Sequence, residues 1–161
     1  MQFYKLKEEI IYLFKSKSAM ICCAESCTGG MVASALTDLP GSSLTFDRGF
    51  VTYSNSAKID ILGVEEQTLK SFGAVSEEVA REMAIGALYI SQASLSISIT
   101  GIAGPDGSDS KPEGQVCFGL ALKDGKCTSQ TVDFGAIGRS NVREASCKFA
   151  LEEIINEGHK L

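Results

Sequence analysis

Apolar residues Phe3, Leu6, Ile10, Leu13 and Phe14 recur every three or four positions, and the spacing predicts an amphipathic helix over residues 3–16. The short apolar run at residues 20–24 is too brief for a helix and reads as a buried strand. Helical periodicity returns with Met31, Val32, Ala35 and Leu36 and ends at Pro40-Gly41. Residues 44–53 read as a second strand, Ser54 and Asn55 open a short helix to about Leu62, and residues 65–71 give another. Ser76 looks like an N-cap, with Glu77 and Glu78 in the first turn and the stripe Val79, Met83, Ala87 and Ile90 behind it.

Leu95, Ile97 and Ile99 alternate with small polar residues and predict a strand running into a glycine-rich loop, residues 101–107. Residues 115–122 and 128–134 form a hairpin around Lys123-Asp124-Gly125-Lys126, where Asp-Gly signals a type I′ turn. Val142, Ala145, Phe149 and Ile154 mark a closing helix over residues 140–156. The expected architecture is α/β: one domain, residues 1–161, with a mixed β-sheet covered by helices, a C-terminal hairpin and a closing helix.

At 161 residues, the chain is large enough for one core, and 44% hydrophobic with 22% charged residues argues against both disorder and a membrane span. Charged residues throughout the first helix exclude a secretory signal, so the expected location is the cytoplasm. The six cysteines contain no C-x-x-C pair, which disfavours a disulfide framework or a zinc site. A net charge of −5 with no basic patch speaks against nucleic acid. A small anion remains compatible, because a few cations such as Arg48, Lys58, Arg139 and Arg143 can converge locally, although counting charge does not place them together.

Two stretches stand out chemically. In residues 24–30 (AESCTGG), adjacent glycines at a helix start each cost about 1 kcal/mol relative to alanine. A strand-to-helix turn of this kind presents a nucleophile and free backbone N–H groups at the positive end of a helix, suited to an oxyanion. Alternatively, Ser26 or Thr28 merely caps the helix. Glu25 either orients the loop or a ribose hydroxyl, or is a helix-start carboxylate. The second stretch, residues 101–107, lies beyond a strand end where ligands of α/β sheets bind, but matches neither a Walker A nor a dinucleotide motif and is equally explained as a tight loop.

The sole histidine, His159, stands two residues from the last, which leaves no base for a Ser-His-Asp or Cys-His mechanism and no histidine-rich metal site. Any serine hydrolase built on this chain needs another base. The S-x-x-K match at Ser108 and Lys111 falls in a polar loop and is read as chance.

Several motifs in order, AESCTGG (24–30), GSS (41–43), RGFVTYSNSAK (48–58), LGV (62–64), GAVS (73–76), MAIGA (83–87) and GIAGPDG (101–107), closely resemble the CinA C-terminal family over nearly the whole chain. Stand-alone members of that family are nicotinamide-nucleotide amidases, which convert nicotinamide mononucleotide to nicotinic acid mononucleotide and ammonia. The resemblance implies Ser26 as nucleophile, Lys58 as its base and Tyr53 as an aid to substrate binding or proton relay. A lysine can act so only if its pKa falls from about 10.4 toward neutrality, through burial and nearby cations.

The same resemblance implies a substrate-binding set of Thr28, Gly29, Gly30, Thr100, Gly101, Gly104, Arg139 and Arg143, with one arginine on the nucleotide phosphate. An acidic residue often precedes the first family arginine, whereas Gly138 stands there in this chain, which makes Arg139 the weaker of the two assignments. Cys27 is the rival nucleophile. No cofactor or metal is called for, the partner is a small pyridine nucleotide rather than nucleic acid or membrane, and a homodimer is expected. Two alternatives stay open: a competence-associated nucleotide-binding or regulatory module without turnover, and an amidase for another small carboxamide.

Overall fold

The run beginning near residue 20 forms strand β1 (Ile21–Glu25), which is buried at every position. A strand without a polar face has to be covered on both sides. The computed structural model, which describes residues 2–161, shows how. Around β1 are β2 (Phe46–Val51), β3 (Leu95–Gly101), β4 (Gln115–Leu122) and β5 (Cys127–Asp133), in a five-stranded sheet of order β2-β1-β3-β4-β5. The β1 pairings with β2 and β3 are parallel, and β3-β4 and β4-β5 are antiparallel.

Because side chains alternate along a strand, β1 serves two cores. Ile21 and Cys23 pack with α1 (Tyr4–Ser16), α2 (Met31–Thr37) and α6 (Arg139–Gly158) through Phe14, Val32, Leu36, Leu151 and Ile154. Cys22 and Ala24 face the other way, toward Leu62 of α3 (Asn55–Leu62), Leu69 of α4 (Glu66–Phe72) and Val79, Met83 and Ala87 of α5 (Glu77–Tyr89). Among the described residues no helix is long and apolar enough to cross a membrane.

Ser76 caps α5 by accepting from Val79 N, and Ser54 caps α3 by accepting from Ala57 N. Two local expectations change. Leu44 belongs to a 3-10 turn (Ser42–Leu44), so β2 starts only at Phe46. In the hairpin Gly125 N donates to Leu122 O, and Gly125 alone takes a positive φ (97°), which is a three-residue loop with a left-handed glycine rather than the expected type I′ turn. His159 is tied to the end of α6 through its N–H to Ile155 O, with its ring 3.4 Å from Glu9.

The parallel strands set the site. The carboxyl ends of β1, β2 and β3 emerge on one edge of the sheet, where Ser26 N donates to Ile99 O (2.9 Å) and Thr52 N to Glu25 O (2.9 Å). The segments that continue from these strands therefore begin side by side.

Candidate active site

At that edge lies a depression of about 190 Å³ lined by Ser26, Cys27, Tyr53, Asn55, Lys58, Ala74, Val75, Thr100, Gly101, Ala103 and Arg139. A larger depression of about 460 Å³ at the opposite ends of β3 and β4, walled by Ile85, Leu88, Tyr89 and Leu122, contains none of the residues singled out by sequence.

Lys58, on the first turn of α3, reaches the segment that follows β2 and is only 1% exposed. Its Nζ lies 3.1 Å from Ser26 Oγ, 2.9 Å from Thr52 O and 3.1 Å from Tyr53 O. All three neighbours are neutral oxygens. The other buried lysine, Lys7, is matched instead to the Asp38 carboxylate at 2.6 Å. Burial holds the Lys58 pKa below the usual 10.5, opposed weakly by the neighbouring Cys27. Desolvation is thus the cause, and the nearby cations expected from sequence contribute nothing of note.

The geometry suits a neutral amine. Carbonyl oxygens only accept, so Thr52 O and Tyr53 O take two N–H bonds and the remaining lone pair of an NH₂ group faces Ser26 Oγ. A protonated Lys58 would have an acceptor for each of its three N–H groups.

The turn carrying Ser26 is clamped by two side chains of opposite charge. Glu25, fully buried, accepts from Gly30 N (3.0 Å), Val32 N (3.1 Å) and Ala33 N (2.8 Å). From α6, Arg143 donates Nε to Cys27 O (3.0 Å) and Nη2 to Thr28 O (3.1 Å). These contacts correct the sequence expectation in two ways. The N–H groups at the start of α2 are not free for an anion, because Glu25 occupies them. Neither Ser26 nor Thr28 caps that helix: its N-cap is Gly30 without a side-chain bond, and Thr28 Oγ1 is buried with no partner.

Gly29 and Gly30 adopt left-handed φ values of 57° and 100°, so the turn itself requires them. They open on another depression, with Lys7, Met31 and Asp38, rather than on Ser26. The structure therefore does not bring Thr28, Gly29 or Gly30 into the Ser26 depression. The hydrogen bonds of the turn do leave the Cys27 N–H, directly after Ser26, without an oxygen partner among the described residues. Burial pushes the Cys27 thiol up to about 12, which keeps it protonated at neutral pH.

On the opposite wall Tyr53 is 60% exposed, and its hydroxyl accepts from Arg139 Nη2 (3.2 Å), while Arg139 Nη1 donates to Gly104 O (2.8 Å). Arg139 thus spans from β2's end to the glycine-rich loop, bonded only to neutral oxygens there. Of the cations considered together from sequence, Lys58 and Arg139 reach the depression, Arg143 lies behind Cys27, and Arg48 pairs with Asp47 and donates to Ile90 O. Arg139, the weaker assignment from sequence, faces the depression, whereas Arg143 donates to backbone carbonyls of the Ser26 turn. Thr100 lines the depression but gives its hydroxyl proton to Ala74 O (2.8 Å), leaving its oxygen only as an acceptor. Gly101 lines it too, whereas Gly104 contributes its carbonyl to Arg139. Sequence reasoning missed Asn55, Ala74, Val75 and Ala103. All four lie inside motifs shared with the family, but Ala74, Val75 and Ala103 are small apolar residues that carry no chemical signal of their own.

Residues 3–157 match the family model described as CinA C-terminal domain. The chain is 49% identical over 155 residues to the nicotinamide-nucleotide amidohydrolase PncC of Enterobacter agglomerans, covering 96% of this chain and 94% of that one. It is 47% identical to the protein of the same name from Escherichia coli (strain K12), covering 93% and 91%. Among solved structures, the competence/damage inducible protein CihA from Agrobacterium tumefaciens superposes with a TM-score of 0.92 at 47% identity, covering 94% of this chain and 93% of that one. With its mixed sheet, its motifs and the matched span in agreement, the chain belongs to the CinA C-terminal domain family.

Proposed function

We propose that this protein is a nicotinamide-nucleotide amidase, hydrolysing the carboxamide of nicotinamide mononucleotide to nicotinic acid mononucleotide and ammonia. The observation that carries the reading is the buried contact between Lys58 Nζ and Ser26 Oγ at 3.1 Å in a chain otherwise close to PncC proteins. In this reading Ser26 Oγ attacks the carboxamide carbon while its proton passes to the neutral Lys58 amine. The oxyanion is met by the Cys27 N–H, placed as the residue after the nucleophile. Lys58 returns the proton to the departing nitrogen, ammonia leaves, and a Ser26 ester remains. Water then attacks that ester with Lys58 again taking the proton, and the acid is released as Ser26 recovers its hydrogen.

Arg139 is the phosphate-facing cation, because its guanidinium is bonded to neutral oxygens and keeps its charge for an incoming anion. Tyr53 orients Arg139 and closes the same wall. Arg143 belongs to the scaffold of the nucleophile. A symmetric homodimer is our working assembly, which light scattering checks directly.

The deciding experiment measures ammonia release from nicotinamide, its riboside, its mononucleotide and NAD. Turnover concentrated on the mononucleotide is expected. No release from any of them sinks the amidase reading in favour of a binding module, and preference for free nicotinamide sinks the phosphate site.

A further inference from the structure

We propose that Glu113, which touches neither Ser26 nor Lys58, is a positioning residue for substrate binding: it locks the glycine-rich loop to the start of α6 and so presets Arg139. The inference rests on reading Arg139 as the phosphate-facing cation. Glu113 Oε2 accepts from Asp106 N (2.9 Å) and Oε1 from Gly138 N (3.2 Å). One carboxylate thus joins two segments far apart in sequence.

Each segment holds Arg139 in a different way. Gly138 is the N-cap of α6 with φ 92°, and that 20-residue helix has neither a side-chain cap of its own nor an acidic residue in its first turn. Glu113 supplies the anion at its positive end from elsewhere in the chain. Arg139 is the first residue of the helix, so fixing Gly138 fixes the backbone that carries the guanidinium.

The second segment holds the guanidinium itself. Gly104 O accepts from Arg139 Nη1 at 2.8 Å, and the Glu113 side chain lies directly on the Gly104 α-carbon. A Cβ added at Gly104 would come within 2.5 Å of Glu113 Cδ and 2.7 Å of Oε1, so a side chain there would displace the carboxylate, and the φ of 92° favours glycine independently. Asp106, which Glu113 also binds, is held at φ 62°, a conformation rare for a residue with a side chain. The backbone behind the carboxylate is anchored in turn, since Gly114 N donates to Ile102 O and Gly114 O accepts from Phe134 N.

Removing the carboxylate frees two N–H groups and lets the loop and the helix start move independently, so Arg139 loses its preset orientation while the Ser26 turn, held by Glu25 and Arg143, stays in place. The test uses a Ser26→Ala background, in which substrate survives, and calorimetric titration with nicotinamide mononucleotide and with the unphosphorylated riboside. Glu113→Ala is expected to weaken mononucleotide binding about tenfold, the scale of one charge-assisted hydrogen bond, and riboside binding by less than about twofold. Glu113→Gln, which keeps one acceptor oxygen, should fall between and also decides the matter if the alanine variant does not fold. With Ser26 present, kcat of Glu113→Gln should stay within about twofold of the parent. Arg139→Ala in the same background should show the same selectivity, and adding Glu113→Ala to it should cost little more. Non-selective behaviour of Arg139→Ala would sink the phosphate reading and this inference with it. A selective Arg139→Ala beside a Glu113→Ala that binds both ligands normally, or weakens both equally, would overturn the role of Glu113 alone.

Discussion

Across one depression the two walls are built by opposite means. Ser26 and Lys58 are 9% and 1% exposed, and the turn between Ser26 and α2 is gripped by Glu25 through three N–H groups and by Arg143 through two carbonyls. Tyr53 on the facing wall is 60% exposed, and Arg139 beside it is held by two hydrogen bonds to neutral oxygens. The difference fits the tasks proposed for the two walls. A lysine becomes a base only when dry, and drying it requires surroundings that exclude water and hold its N–H groups on neutral acceptors. A cation that meets a phosphate has to stay accessible and unpaired by carboxylates until the ligand arrives.

The largest effects should come from the buried wall. Ser26→Ala and Lys58→Ala are each expected to lower kcat by about 10³-fold or more, and the double variant should be little worse than either alone, because the two act as one unit. Additive losses would break the pairing. The pH dependence has a definite sign. With a folded-state pKa held below the unfolded 10.5, the unfolded chain binds more protons between the two values, so stability rises with pH across that window and is lost as pH falls through the folded value. Activity should rise over the same lower limb, and Lys58→Met should abolish this contribution to the stability profile in denaturant titrations at several pH values.

Next in size is the clamp. Glu25→Ala leaves one buried and two part-buried N–H groups without their acceptor, and a loss of about 2 kcal/mol in unfolding free energy is expected, read by urea denaturation. A change under about 0.5 kcal/mol would mean that water replaces the carboxylate and that the turn is less rigid than its contacts suggest.

The two arginines then separate the walls kinetically. Arg139→Ala should raise KM for the mononucleotide by roughly tenfold to a hundredfold with kcat nearly kept, whereas Arg143→Ala should lower kcat about tenfold with a smaller change in KM. Identical profiles for the two variants would erase the distinction between binding rim and nucleophile scaffold. The smallest effect is expected at Cys27: its thiol is protonated and buried, so Cys27→Ser should keep activity within about threefold. Abolished turnover in that variant, with Ser26→Ala still active, would transfer the attack to sulfur.

Local pattern determined much of this molecule. Alternation and helical spacing placed every strand and helix to within a few residues, since burying one face of each element leaves its period in the sequence. Ser54 and Ser76 were legible as caps because capping is a contact between near neighbours. The absence of a usable histidine, together with the order of motifs shared with the family, pointed to Ser26 and Lys58. What tertiary structure alone decided were contacts between distant segments. That Lys58 is dry while Lys7 meets Asp38, that Glu25 fills the N–H groups of α2, that Arg143 serves carbonyls while Arg139 faces the depression, and that Glu113 ties loop to helix all depend on partners up to 116 residues away. A side chain's charge and length are written in the sequence. Its solvent and its partner are set only once the sheet has brought the strand ends together.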